Sequence, residues 1–225
     1  MLTKTDPHHE YCVYLDTSVI LRVAYEEGAT EALKNLVRTG TANRGRIVVI
    51  VVAPVLSELM YKVDAEERYA QRHSKDLKDL VSRIRNEVKG DRDSRPTKIG
   101  LPELLSTASA LEGYATVLES SSDKRRQRIR DVVEALQAHA QGSNLEVTDL
   151  QWAFEEETRL MRERPGDMRR PGRADLLVLG AVRAAHRKRP GVFLTMDRSL
   201  RGLAKEHGLL IDDPDEFSEK PPDET

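Results

Sequence analysis

Residues 11–15 (YCVYL) and 47–53 (IVVIVVA) are unbroken apolar runs rich in β-branched and aromatic side chains. A strand with one face in water alternates apolar and polar residues. A run without that alternation is buried on both faces, as in a parallel sheet. Residues 192–195 (VFLT) follow the same pattern, and the shorter stretches 145–147 (LEV) and 209–211 (LLI) bring the expected strands to five. Between them the spacing turns helical. Residues 29–38 carry Ala32, Leu33, Leu36 and Val37 on one side, with Gly40 behind them as a C-cap. Pro54 suits the first turn of a helix bearing Leu56, Leu59, Met60 and Val63, which is expected to break near His73 and Ser74. A second amphipathic segment shows Leu77, Leu80, Val81, Ile84 and Val88 before Gly90, and a polar loop follows over 90–98. Further helices are expected at 102–118, at 123–140 with Ile129, Val132, Val133 and Leu136 as its stripe, and at 149–164, 175–187 and 199–206.

Strands alternating with helices imply right-handed βαβ crossovers, hence an α/β fold with an open parallel sheet covered on both faces. The stretch 62–144 holds several helices and no convincing strand. It is therefore expected to be a helical insertion in a single domain spanning 1–211. The end of the chain, 212–225, has seven acids, one lysine and three prolines, a composition that favours a disordered tail.

The chain has 225 residues, enough for one α/β domain with a substantial core. Its 36 basic and 38 acidic residues give a formal charge of −2, which by itself does not suggest a nucleic-acid partner. The total conceals two opposed regions. Residues 159–189 hold ten Arg or Lys against three acids, and the tail carries the compensating negative charge. One cysteine, Cys12, cannot form an internal disulfide and lies in an apolar run. No apolar stretch approaches the roughly 20 residues of a membrane helix. The first residues lack a signal-peptide core, so the expectation is a soluble cytoplasmic protein. The histidines stand apart or at the terminus, and neither a dinucleotide nor a P-loop glycine pattern occurs. Aromatics make up only 4 %, which argues for little base stacking.

In an open parallel sheet, ligands bind at the carboxyl ends of the strands, and acids gather there in this sequence. Asp16 ends the first strand in VYLDTSVIL, Glu58 lies one turn into the helix after the second in VVAPVLSEL, and Asp197 follows VFLT in VFLTMDRSL. Asp175 opens the apolar helix of GRADLLVLGAV. Taken singly, the three aspartates read as helix caps and Glu58 as a surface residue. Taken together, four clustered acids would repel one another, a cost that a divalent cation relieves. Hard oxygen donors suit Mg²⁺ or Mn²⁺. Arg169, Arg170 and Arg173, in the loop leading to Asp175, are candidate phosphate contacts. The second basic run, 124–130, reads as a solvated helix face.

These four strings, in this order, resemble the PIN-domain ribonucleases, including the VapC-type toxins of toxin–antitoxin pairs. The likeness spans roughly 11–60 and 145–211, with 62–144 as an enlarged helical insertion. It implies a five-stranded parallel sheet of order 3-2-1-4-5 and metal ligation by Asp16, Glu58, Asp175 and Asp197, with Thr17 or Ser18 supporting the site. The implied activity is endonucleolytic hydrolysis of RNA with Mg²⁺ or Mn²⁺. RNA is then the substrate, and an antitoxin protein and a homodimer are further expected partners. The alternative is a catalytically silent PIN-like module that binds RNA or acts as a scaffold through its insertion. A phosphatase using Asp16 as nucleophile is disfavoured, because such chemistry commonly wants a second aspartate where Ser18 stands.

Overall fold

In the computed structural model, which describes residues 11–26, 28–40, 47–90, 100–142, 155, 158, 172–214 and 217, the middle of a wholly parallel sheet is β1 (Tyr11–Leu15). It pairs with β2 (Ile47–Val51) on one side and β4 (Gly191–Leu194) on the other, and β4 pairs with β5 (Leu210–Asp212). The absence of alternation in the sequence has the expected physical cause. Cys12 to Leu15, Val48 to Val51 and Val192 to Leu194 are all buried, so the sheet is covered on both faces. Tyr14, at the centre, buries its ring and donates its hydroxyl to the Arg189 carbonyl at 2.5 Å.

Among the described residues the full strands number four, against the five expected. The fifth place in the order β3-β2-β1-β4-β5 is held by β3 (Gln141–Gly142), two residues that pair with Ile50 and Val51. The expected strand at 145–147 lies outside the described residues. A short edge pairing needs only backbone groups, so it leaves no apolar run to read.

Two short helices follow β1: α1 (Thr17–Tyr25), and α2 (Glu31–Thr39), capped by Thr30 and closed by Gly40 in the left-handed region. After β2 comes α3 (Ala53–Gly90), then α4 (Leu101–His139), α5 (Arg173–Lys188) and, after β4, α6 (Arg198–Glu206). Both long helices correct the sequence expectation. Alpha-3 does not break at His73 and Ser74, and 102–118 and 123–140 are one helix. Ser74 and Ser122 are buried and donate across to the facing helix, to Glu119 at 2.5 Å and to the Glu66 carbonyl at 3.1 Å. At both places where a break was expected, a buried hydroxyl ties the helix to its neighbour instead. Along α4 the buried positions Ala108, Ala115, Ser122, Ile129 and Leu136 recur every seven residues, the repeat of paired helices.

The chain divides into two compact units, one of Met1–Met60 with Ile129–Thr225 and one of Tyr61–Arg128. Residues 129–142 of the expected insertion thus group with the sheet. The second unit is an antiparallel helical pair with small buried residues, Ala70, Ala108 and Ala115, tied by ion pairs such as Lys78 to Glu119 and Arg85 to Glu112. The start of the expected disordered tail is ordered where described. Asp212 completes β5, Asp213 pairs with Arg201, and Pro214 and Phe217 are buried. Among the described residues, no helix is long and apolar enough to cross a membrane.

Candidate functional site

Strand register builds the site. Leu15 pairs with Leu194, so the next residues of β1 and β4, Asp16 and Thr195, leave the sheet side by side, joined by the Asp16 N–H donating to the Leu194 carbonyl at 3.1 Å. Asp16 occupies the N-cap position of α1, yet its side chain makes no capping bond there. It turns instead toward hydroxyls. Its Oδ2 accepts from Thr195 Oγ1 at 2.8 Å and from Ser18 Oγ. Each hydroxyl accepts a backbone proton in turn: Ser18 from Met196 N at 3.0 Å, Thr195 from Asp197 N at 3.1 Å. That fixes both hydroxyl protons on the carboxylate.

Glu58 reaches the same place from α3. Its Oε2 accepts from Thr17 Oγ1 at 2.8 Å, and its charge is close enough to act on Asp16. Burial is the largest influence on Asp16 and holds its carboxyl above the ordinary carboxylate range. The Ser18 and Thr195 hydroxyls pull it back, the Glu58 charge pushes it up again, and the Thr17 N–H lowers it.

The other two acids are used differently. Asp197 is the N-cap of α6, its Oδ1 accepting from Ser199 N at 2.7 Å and Leu200 N at 3.0 Å. Asp175, in the first turn of α5, accepts the Gly172 N–H at 2.7 Å. For these two the capping alternative describes what their carboxylates do; for Asp16 it does not. Among the described residues, the structure therefore brings Asp16, Glu58, Thr17 and Ser18 together, and links Asp197 to them through the hydroxyl of Thr195. Arg169 and Arg170 lie outside the described residues; Arg173 is the first residue of α5. Sequence reasoning missed Thr195, which is fully buried. The available signal was a hydroxyl ending VFLT, two residues before Asp197. It also missed Arg201, which donates to the Thr195 carbonyl at 2.9 Å and pairs with Asp213.

Among the described residues, no group of three or more His, Cys, Asp or Glu is arranged to hold a metal ion. Among the described residues the four acids expected as ligands do not stand as one such group. The donor chemistry of the smaller set does fit a hard cation. Asp16 and Glu58 are two carboxylates whose mutual repulsion a cation relieves, and Mg²⁺ commonly binds through one or two carboxylates together with waters and substrate phosphate.

No family model matches the chain, and no curated protein matches it. Among solved structures, the crystal structure of VapBC2 from Rickettsia felis bound to a DNA fragment from their promoter aligns with 90 % of this chain and 98 % of its own. The identity is 11 % and the TM-score 0.46. That likeness is too slight to carry an activity or a partner across.

Proposed function

We propose that the protein is a divalent-cation-dependent endoribonuclease of PIN-like architecture, in which Asp16 and Glu58 hold Mg²⁺ or Mn²⁺. The observation that supports this reading is the buried Asp16 carboxylate, held against a second acid by hydroxyls whose protons are already committed. Burying Asp16 beside a second, half-buried acid is costly. A fold that orients them this carefully has the features of a cation site. When bound, the cation supplies charge neutralisation at a phosphodiester and a water easier to deprotonate. The chain's own residues do the positioning. Thr17 holds Glu58, Ser18 and Thr195 hold Asp16, and Arg201 braces the turn after β4 through the Thr195 carbonyl. Asp175 and Asp197 enter as further ligands through the carboxylate oxygen that their capping N–H bonds do not use. Arg169, Arg170 and Arg173 are the proposed phosphate contacts. In the toxin form of this proposal, a protein antitoxin with an acidic or arginine-bearing segment is the partner.

A second reading, a silent RNA-binding or scaffolding module, is favoured by one fact: two of the four acids are engaged as helix caps. Incubating the full chain with single-stranded RNA in Mn²⁺, then in EDTA, separates the two. Endonuclease activity that EDTA abolishes, and that Asp16→Asn and Glu58→Gln each remove, supports the enzyme. Cleavage that survives EDTA or both substitutions overturns it. No cleavage and no Mn²⁺ binding by calorimetry leaves the silent module.

A further inference from the structure

The helical pair Tyr61–Arg128 carries an open groove of about 540 Å³ between α3 and α4. Among its lining residues are Lys62, Glu66 and Tyr69 from α3, and Tyr114, Leu118 and Arg125 from α4. Aromatics are scarce in this chain, with six tyrosines in 225 residues. Three of those six, Tyr61, Tyr69 and Tyr114, lie on this pair with most of their surface in water. Tyr69 packs against the His73 ring at 4.2 Å, and Arg68 lies 5.8 Å from the centre of the Tyr61 ring. A ring held in place yet left open, as Tyr69 is, is a platform for something flat, and Tyr114 lines the same groove.

We infer that this groove binds single-stranded RNA, with Tyr69 and Tyr114 stacking on bases and Lys62 and Arg125 meeting phosphates. The inference rests on the ribonuclease proposal for its substrate class. It adds a holding surface made of residues other than those that would cut. Stacking on exposed aromatic rings beside cations is how single strands are gripped without sequence preference. The charge fits. The lining holds two cations against one acid: Arg125 lies 3.7 Å from Glu66, and Lys62 makes no ion pair among the described residues, so the groove keeps a net positive charge. A peptide helix would want large aliphatic anchors. This groove offers Leu118 and Ala65 as its aliphatic side chains, and its other lining is aromatic, charged or hydroxylic.

The test is fluorescence anisotropy with a labelled single-stranded RNA of about 12 nucleotides and mixed sequence, within the span of known single-strand sites, using the full chain in EDTA so that nothing is cut. Joint Tyr69→Ala and Tyr114→Ala substitution is expected to weaken binding about tenfold or more, while the joint change to Phe retains it. Lys62→Ala and Arg125→Ala should each flatten the salt dependence, by about 0.7 in the slope of log K against log salt. With Tyr69 and Tyr114 57 % and 61 % exposed, truncation spares the fold, which an unchanged melting curve confirms. Equal affinity in the double alanine variant overturns the inference. So does absence of binding by the unsubstituted chain, or tyrosine truncation that abolishes self-association in sedimentation without changing RNA affinity. Asp16→Asn keeps the two proposals apart. If it still cleaves RNA, the enzyme reading falls and the groove is judged by anisotropy alone. If it stops cleavage while the tyrosine variants bind normally, only the groove falls.

Discussion

Replacing Asp16 by Asn should make the protein more stable near neutral pH, although the residue sits in the middle of a hydrogen-bond network. Asp16 is 6 % exposed, and burial is the foremost influence on its carboxyl, ahead of the hydroxyls that favour its charged form. Asn preserves shape and one acceptor oxygen for Ser18 and Thr195 while removing the charge. Because the folded carboxyl holds its proton to higher pH than the unfolded chain, where the value is about 3.9, ionisation costs stability. That cost is absent below the unfolded value, grows as pH rises through the folded one, and is complete above it. Each unit of upward shift corresponds to about 1.4 kcal/mol. In a chain of this size that is about 3–6 °C in melting temperature. Melting curves of both proteins in EDTA at pH 4.5 and 8 measure it. The variant should melt higher at pH 8, with a gap that narrows at pH 4.5. Adding Mn²⁺ should then raise the wild type and leave the variant unmoved, by about 2.7 kcal/mol when the cation stands at a hundred times its dissociation constant. A variant that melts lower at pH 8, or a gap indifferent to pH, would refute the reasoning. It would mean that the hydroxyls outweigh burial.

Thr195→Val keeps the volume of a fully buried residue but leaves the Asp197 N–H without its acceptor, at a cost of about 1–3 kcal/mol in thermal melts, and should depress RNA cleavage by freeing Asp16 to rotate. Gly191→Ala would place a Cβ 2.7 Å from that of Cys12 and against its carbonyl oxygen in the central pair of strands, so overpacking of about 1–3 kcal/mol should appear as a lower melting temperature. Asp197→Asn should leave the melting temperature nearly unchanged, since Asn caps a helix as well as Asp does. Lost cleavage in that variant would assign Asp197 a role through its charge, and retained cleavage would confine it to the cap.

The central strands were legible because burial on both faces imprints a continuous apolar run, and YCVYL, IVVIV and GVFL carry it. Beta-3 was not, because Gln141 and Gly142 pair through backbone alone and no side-chain pattern marks an edge of two residues. The long helices were misjudged for a different reason. A serine in a helix is locally ambiguous, free to compete for the backbone or to reach outward. Only the facing helix, which brings Glu119 to Ser74 and the Glu66 carbonyl to Ser122, decides the matter. At the site, the positions of the acids were readable from strand ends, but their use was not. Asp16 and Asp197 each end a strand and precede a helix, and the local strings LDTS and MDRS are nearly alike. One aspartate caps its helix and the other does not. The difference lies in Thr195, which stands beside Asp16 only because Leu15 and Leu194 are in register.

That register also explains why a charged acid can persist at the buried end of β1. Ser18 and Thr195 are each polarised by a backbone N–H, from Met196 and Asp197, so neither hydroxyl can turn its proton away from Asp16 without leaving a donor facing a donor. The carboxylate is thereby locked in orientation by the backbone of the turn after β4, and that turn is in turn held by Arg201 and Asp213. Orientation is thus set before anything binds, which spares a ligand the cost of ordering these groups. Glu58, tied through the single hydroxyl of Thr17, has one such restraint where Asp16 has several. Of the two acids it is therefore the one that adjusts to an arriving cation, with Asp16 as the fixed reference.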